Sequence, residues 1–248
     1  MLHVLSCSGG KDSVATAILI HQLHPEIQLL VLTSEVYFDL ANGISGENPA
    51  HIRWIKEVLF PTLESWGYVC KIIRSENKDY LSEFFHTVEG AKKYAEHNGR
   101  PYGFPICHQG RCHIKRDLKV RPMESFLKGL GEPYIQYLGI TADEPRRLEA
   151  IKAEDGKRSI LAELGYTERD CWDLCRQYDL LSPVYRYSCR QGCWMCSHAR
   201  IEEQKQVPPD VWKRFVDLEK TPNICYTKWS IFGSTLEERD RMIQGVGQ

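Results

Sequence analysis

The feature that most constrains this chain is a glycine-containing stretch near its start, Ser-Cys-Ser-Gly-Gly-Lys-Asp-Ser at residues 6–13. A short apolar run at residues 2–5 precedes it, and an apolar stretch of helical length at residues 14–23 follows. In α/β folds a buried strand, a glycine turn and a buried helix form an anion site, because the helix start offers unpaired N–H groups. The alternative is an ordinary glycine turn. The predicted anion-binding residues are Ser6, Ser8, Gly9, Gly10, Lys11, Asp12 and Ser13.

Apolar runs predict three more buried strands, at residues 28–34, 68–73 and 134–140. A helix begins at Pro49 between the first two of these runs, because Asn48 can cap it and its apolar residues recur at steps of three and four. Two strand–helix units in succession indicate an α/β fold with a parallel sheet and right-handed crossovers.

The second half of the chain has a mostly helical pattern. A last short strand is predicted at residues 180–185, and a capping box is predicted to start the final helix at Ser234 and Glu237. Pro61 is expected to kink or split its helix, and Pro122 to break another. We therefore divide the chain into an α/β domain at residues 1–160, which carries the glycine loop, and a helical region with the cysteine group at residues 161–248, packed as one compact unit.

Composition places the chain among globular proteins. Of 248 residues, 42% are hydrophobic and 26% are charged, and the formal net charge is −1. No apolar run is long enough to span a bilayer and no signal-peptide pattern opens the chain, so we expect a cytoplasmic protein without a membrane partner. The near-neutral charge gives no whole-protein argument for binding nucleic acid.

A second group of candidate ligand residues follows the strand at residues 134–140. Ligands of open parallel sheets bind at the carboxyl ends of strands, where the strand order reverses. Asp143 or Glu144 could bind a ribose hydroxyl or Mg²⁺, and an arginine could bind phosphate or sulfate. The alternative is a solvated charged loop. The predicted site residues at strand ends are Glu35, Gly139, Asp143, Arg146 and Arg147.

The ten cysteines are unevenly placed. Three of them lie close together, in the pattern Cys-x-x-x-Cys-x-x-Cys, which is typical of metal binding and unlikely by chance. The alternative is a set of unligated core cysteines. The predicted ligands are Cys112, Cys189, Cys193 and Cys196, and Cys107 and His198 are rivals for the fourth position. The spacing fits Zn²⁺ or a [4Fe–4S] cluster, of which we favour the cluster.

Four separated motifs carry a resemblance to a known family. They are Ser8-Gly9-Gly10-Lys11-Asp12-Ser13, Cys112-x-x-Lys115 with Lys119 and Pro122, Gly139-Ile140-x-x-Asp143-Glu144-x-x-Arg147, and Arg190-x-Gly192-Cys193-Trp194-x-Cys196. Together they resemble the phosphoadenosine-phosphosulfate reductase family, within the superfamily of adenine-nucleotide α-hydrolase-like proteins with a pyrophosphatase loop. The resemblance is closer to the branch that contains the nucleotide-binding subunit of DNA phosphorothioation systems.

The resemblance implies a five-stranded parallel sheet flanked by helices and a Cys-rich metal site in the C-terminal region. It also implies that ATP, or a sulfonucleotide, binds the glycine loop together with Lys115 and Mg²⁺. In this branch ATP is cleaved to AMP and pyrophosphate to activate an acceptor, in some cases for sulfur transfer. Lys11, Asp12 and Asp143 are then the expected catalytic residues, and a cluster would order the fold or deliver sulfur.

Two other functions stay open at this point. One is a reductase that converts adenylyl sulfate, or its 3′-phosphorylated form, to sulfite. The Glu-Cys-Gly-x-His motif of sulfonucleotide reductases is absent, and Cys225 lies in a different context. The other is a module that senses a nucleotide or binds a partner without catalysis. The acceptor, either a small molecule or a nucleic acid, and the oligomeric state, including a homo-oligomer, are not determined by the sequence.

Overall fold

The computed structural model describes residues 1–108, 111–152, 156–230 and 233–245. The strands are β1 (Leu2–Ser6), β2 (Leu29–Ser34), β3 (Tyr37–Asp39), β4 (Ile44–Ser45), β5 (Val69–Ile73), β6 (Cys107–His108), β7 (Arg111–Cys112), β8 (Tyr134–Leu138) and β9 (Lys157–Arg158). The α-helices are α1 (Lys11–Leu23), α2 (Pro49–Trp54), α3 (Phe60–Ser65), α4 (Tyr80–Phe85), α5 (His113–Lys115), α6 (Arg121–Gly129), α7 (Pro145–Lys152), α8 (Ile160–Glu163), α9 (Glu168–Gln177), α10 (Ile201–Gln204), α11 (Pro209–Asp217) and α12 (Leu236–Gln244). Helical segments of π type occupy Ile55–Leu59 and Arg116–Val120, and 3₁₀ turns occupy Ala95–His97, Pro183–Arg186 and Leu218–Lys220.

A five-stranded parallel sheet is the centre of the fold. Its order is β5-β2-β1-β8-β9, and every neighbouring pair is parallel. The chain moves outward from β1 to β2 and β5 on one side, and the later strands β8 and β9 are added on the other. The strand order therefore reverses at β1, and the predicted α/β fold with a five-stranded parallel sheet flanked by helices is confirmed.

The residues group by contact into two compact units. The first consists of Met1–Ser34, Ala50–Ile73 and Ser125–Gln191, and the second of Glu35–Pro49, Arg74–Glu124 and Gly192–Gln248. All strands of the large sheet belong to the first unit. The division predicted from the sequence, at residue 160, stays a prediction.

Helix α1 supplies the core of the first unit. It packs against α8 and α9, and its residues from Val14 to Ile20 are all buried. A helix that is apolar on most faces needs neighbours on more than one side, which explains its position between the sheet and other helices. Cys171 and Cys175 of α9 are fully buried in the same core.

The second unit has a core of its own, built largely from aromatic side chains. Trp194, Phe38 and Phe215 are each at most 1% exposed, and their ring centroids lie 5.2–5.9 Å apart. Within the described residues, every helix is too short or too polar to cross a membrane.

Prolines within two helical runs are accommodated by π-helical segments. Pro61 is the second residue of α3 and Pro122 the second residue of α6, and each helix directly follows a five-residue π segment. The wider π turn shifts the preceding carbonyl groups, so a ring without an N–H does not end the helix. The break expected at Pro122 is therefore wrong, and at Pro61 the helix changes type.

Two local predictions in the C-terminal region are also wrong. Residues 180–185 form no strand but lead into the 3₁₀ turn at Pro183–Arg186, because Pro183 cannot donate to a strand ladder. The fifth strand of the sheet is β9 instead. The capping box of α12 lies one residue later than expected, at Thr235 and Glu238, which places Leu236 in the core with no exposed surface.

Truncation of Leu59 should test the packing of the first unit. Leu59 is fully buried, whereas its neighbour Val58 in the same π segment is 40% exposed. We expect Leu59→Ala to lower the free energy of unfolding by about 2–5 kcal/mol, because it leaves a cavity. The matched variant Val58→Ala should change it by less than about 0.5 kcal/mol. Urea denaturation followed by circular dichroism measures both, and equal effects would contradict this packing.

Candidate functional site

The glycine loop lies at the carboxyl end of the central strand, between β1 and α1 of the first unit. Gly9 has a φ of +72°, which a residue with a side chain rarely adopts. Gly10 is the N-cap residue of α1 and has no side-chain capping bond, so the positive end of a 13-residue helix faces the loop. This is the local arrangement that the sequence predicted.

Gly139 brings a second strand end against this helix start. Strands β1 and β8 are parallel neighbours, with Ser6 opposite Leu138, so the residue after β8 lies beside the loop. A Cβ atom at Gly139 would lie 2.6 Å from the backbone nitrogen of Ser13 and 2.7 Å from the carbonyl carbon of Asp12. Only glycine permits this approach, so the ends of β1 and β8 lie side by side at this edge of the sheet.

Lys11 is held between two carboxylates. Its Nζ lies 3.0 Å from Oδ1 of Asp12 and 3.2 Å from Oε2 of Glu168, and the lysine is only 9% exposed. Burial alone would lower the pKa of Lys11, but the two carboxylates outweigh this effect and raise it. Lys11 therefore carries its charge at neutral pH.

Burial and neighbouring charges determine the pKa of the Asp12 carboxyl group. Burial raises its pKa, the contact with Lys11 opposes this, and the charges of Glu168 and Glu144 add to the rise. Its Oδ1 is buried and makes no hydrogen bond among the described residues, although it lies close to the Lys11 ammonium. The site thus holds more carboxylates than cations, which is the donor set that a divalent cation prefers.

The loop after β8 places Asp143 beside these groups. Asp143 is exposed and accepts a hydrogen bond from the Glu168 backbone at 3.5 Å, and the Thr141 side chain is the main cause that lowers its pKa. Arg147 pairs with Glu144 at 2.6 Å, and Arg146 is exposed on the first turn of α7. Asp143 therefore joins Lys11 and Asp12, while Arg147 already has a carboxylate partner.

The hydroxyl groups of the loop form hydrogen bonds within the protein. Ser6 accepts from Nε2 of Gln136 at 2.7 Å, Ser13 donates to the Gly10 carbonyl at 2.9 Å, and Ser8 accepts from the Gly10 N–H at 3.3 Å. These bonds fix the shape of the loop. Of the three hydroxyls, only that of Ser8 lies on an exposed residue.

The structure adds candidate functional residues that the sequence did not predict. Tyr185 accepts from the Lys11 backbone N–H at 3.0 Å, and Gln191 Oε1 would lie 2.6 Å from a Cβ at Gly10. Two further buried polar atoms, Nε2 of Gln191 and Oγ of Ser34, have no hydrogen-bond partner among the described residues. None of these residues stands in a pattern typical of a ligand site: Ser34 and Tyr185 lie in predicted strands, and Gln191 occupies an unspecified position of the fourth motif.

Two predicted site residues belong to the second unit. Glu35 follows β2 directly and is 2% exposed, and Lys115 is an exposed residue of α5. The assignment of both to a nucleotide site stays a prediction.

Four cysteines of the second unit lie near one another. Cys107 and Cys112 face each other across the β6–β7 pair, and Sγ of Cys107 lies 3.7 Å from Sγ of Cys196. Cys193 and Cys196 are joined by a hydrogen bond from the Cys196 N–H to the Cys193 carbonyl at 3.2 Å. Backbone N–H groups donate to the Cys112 and Cys196 sulfurs at 3.3 and 3.4 Å.

The thiols of this cluster differ in pKa. The interaction between Cys107 and Cys112 lowers the pKa of Cys112 and raises that of Cys107. Burial raises the pKa of Cys193 to about 12, and the nearby Lys119 ammonium opposes this rise. Lys119 forms a 2.6 Å ion pair with Glu47, whose carboxylate lies 4.0 Å from Sγ of Cys193.

The predicted metal ligands are divided between the two units. Cys112, Cys193 and Cys196 lie in the second unit with Cys107, whereas Cys189 is an exposed residue of the first unit. Within the described part of the chain, no three His, Cys, Asp or Glu side chains have the geometry of a formed metal site. The metal centre stays a prediction.

Comparison with models of known protein families finds no match, and comparison with curated protein sequences finds none either.

Replacement of Gly139 should test the close approach of β8 to α1. We expect Gly139→Ala to lower the free energy of unfolding by about 1–3 kcal/mol, because the new methyl group meets backbone atoms that cannot move alone. Gly129→Ala is the matched control, since a Cβ there meets no atom within 4 Å. Thermal unfolding of both variants measures the difference, and an unchanged Gly139→Ala variant would contradict the arrangement.

Proposed function

We propose that this chain is an adenine-nucleotide-binding enzyme with a pyrophosphatase-type loop that cleaves ATP to AMP and pyrophosphate and so activates an acceptor. The observation that carries the proposal is the position of the glycine loop. It starts a buried helix at the carboxyl end of the central strand, where the strand order reverses and Gly139 packs against the first turn of α1. Ligands of open α/β sheets bind at this point.

The proposed reaction is a displacement at the α-phosphorus of ATP. A nucleophilic atom of the acceptor forms a bond to this phosphorus, the bond to the oxygen that bridges the α and β phosphates breaks, and pyrophosphate leaves. The loop N–H groups and Lys11 would stabilise the negative charge that develops on the leaving pyrophosphate. Attack by a second nucleophile, including sulfur or water, would release AMP.

Lys11 has to exchange partners for this role. Its ammonium group is held by Asp12 and Glu168, so phosphate oxygens would compete with these carboxylates. Asp12 and Asp143 offer carboxylate oxygens that suit Mg²⁺, which would screen the phosphate charge. If Asp12 held the ion, one of the two carboxylates that compete for Lys11 would be occupied. This fit is supported by the buried Oδ1 of Asp12, which makes no hydrogen bond to any described residue.

We further propose that the second unit binds a metal centre through Cys107, Cys112, Cys193 and Cys196. This set replaces Cys189 of the sequence-based prediction with Cys107, which contacts Cys196. Thiolates on one Zn²⁺, each at about 2.3 Å, lie about 3.8 Å apart, close to the distance between these two sulfurs. The thiolates of a [4Fe–4S] cluster bind different irons and lie further apart, so the spacing supports Zn²⁺ over the cluster.

Incubation with radiolabelled ATP and Mg²⁺ tests the proposed reaction. We expect AMP and pyrophosphate as products, and we expect Lys11→Ala to lower their rate of formation by about 10²–10³-fold, because a donor to the developing charge is lost. Lys128→Ala is the control, since Lys128 is an exposed lysine of α6 in the same unit.

Other products would point to other functions. ADP and phosphate would exclude cleavage between the α and β phosphates. Nucleotide binding without turnover would support a sensing module, and sulfite released from adenylyl sulfate with thioredoxin would support a reductase.

Metal analysis of the purified chain tests the proposed centre. We expect stoichiometric zinc that is lost in Cys107→Ser and in Cys196→Ser, because a structural metal needs its complete ligand set. Cys189→Ser should retain the metal and serves as the matched cysteine control. A brown, iron-containing protein would contradict the zinc assignment, and metal loss in Cys189→Ser alone would restore the sequence-based ligand set.

A further inference from the structure

A buried histidine lies directly beneath the glycine loop. His51 of α2 is 3% exposed, and its Nε2 lies 2.9 Å from the carbonyl oxygen of Ser8. Its Nδ1 lies 2.7 Å from Oγ of Ser182, a residue that is 2% exposed and precedes the 3₁₀ turn of the first unit. The histidine thus connects the loop to a distant segment of the chain.

The hydrogen-bonding roles in this connection follow from the chemistry of the groups. The carbonyl oxygen of Ser8 can only accept, so Nε2 of His51 carries a proton and donates it. In the neutral ring Nδ1 then accepts, and the Ser182 hydroxyl is its donor. Ser182 Oγ in turn accepts from the Val184 N–H at 3.4 Å. Each atom therefore has a defined role: the Ser8 carbonyl fixes the tautomer of His51, and the Ser182 hydroxyl donates to Nδ1 and holds the ring in place.

The same contacts fix one peptide plane of the loop. The carbonyl group of the Ser8–Gly9 peptide is held by His51. The ring also fills the space under Gly9, since a Cβ there would lie 2.9 Å from Cε1 of His51. Glycine has more accessible conformations than any other residue, so an anchored neighbour decides which one the loop adopts.

We propose that His51 and Ser182 are positioning residues that hold the Ser8–Gly9 peptide in the conformation that binds the phosphates of a nucleotide. The inference rests on the proposed function, because it assigns a role within that site. His51 does not touch the nucleotide. It acts through the backbone of the loop, so its loss affects the phosphate-bearing part of a ligand and not the nucleoside.

Equilibrium binding of ATP, inorganic pyrophosphate and adenosine tests this role. We expect His51→Leu to weaken binding of ATP and pyrophosphate about tenfold or more, because the Ser8 carbonyl loses a buried donor, and to leave adenosine binding within about twofold. His51→Gln, whose amide nitrogen can take the position of Nε2, should restore ATP binding to within about threefold of wild type. Ser182→Ala should weaken ATP binding about threefold or more, because Nδ1 of His51 loses its hydrogen-bond partner and the ring is no longer held against the loop.

His3→Leu is the matched control. His3 lies at the start of β1, at the opposite end of the strand from the loop, and its Nδ1 lies 3.0 Å from the Tyr137 hydroxyl. This variant removes an imidazole–hydroxyl pair from the same unit and should bind all three ligands as the wild type does.

The outcomes separate this inference from the proposed function. If the wild-type chain binds ATP and folded His51→Leu binds it equally well, this inference is overturned and the proposed function is not. Equal loss of adenosine and ATP binding would show a merely structural role and would also overturn it. If His51→Leu does not fold, unchanged ATP binding in Ser182→Ala overturns it. A wild-type chain that binds none of the ligands would overturn the proposed function, and this inference with it.

Discussion

The parallel pairing of β1 with β8 is the constraint on which the candidate site depends. Because these strands are in register up to Ser6 and Leu138, the glycine loop and Gly139 emerge side by side at one edge of the sheet. A strand end can approach a helix start this closely only where a side chain is missing, as at Gly139. The backbone geometry of the two strand ends therefore determines where the charged side chains of the site lie.

The charges at this edge are arranged around Lys11, the most buried of them. A cation that is 9% exposed needs compensation, and Asp12 with Glu168 supplies more negative charge than one lysine can balance. An excess of carboxylate next to a helix N-terminus is an arrangement that a polyphosphate accompanied by a divalent cation would complete. His51 and Ser182 complement this arrangement from below, because they act on the loop backbone and leave its outer side for a ligand.

The spacing of the cysteines along the sequence predicts some of their contacts but not all of them. The local Cys-x-x-Cys pair predicted that Cys193 and Cys196 lie together, and both belong to the second unit. The sequence could not decide which further cysteine contacts Cys196, because Cys189 and Cys107 were both compatible with it. The antiparallel pairing of β6 with β7 brings Cys107 opposite Cys112, and the Cys107 sulfur then contacts Cys196. A pairing between segments almost ninety residues apart has no local signal.

The sequence by itself determined the parallel α/β class, the strand–loop–helix unit at residues 2–23 and the position of Asp143 just after a strand. These features follow from local patterns of apolar residues, glycines and charges, whose physical effects act over a few residues. Only the tertiary structure decided that β9 is the fifth strand, that π turns carry the helices past Pro61 and Pro122, and that Glu168, His51 and Ser182 support the loop. Contacts between residues distant along the chain decide these features, because burial and hydrogen-bond satisfaction are properties of the assembled fold.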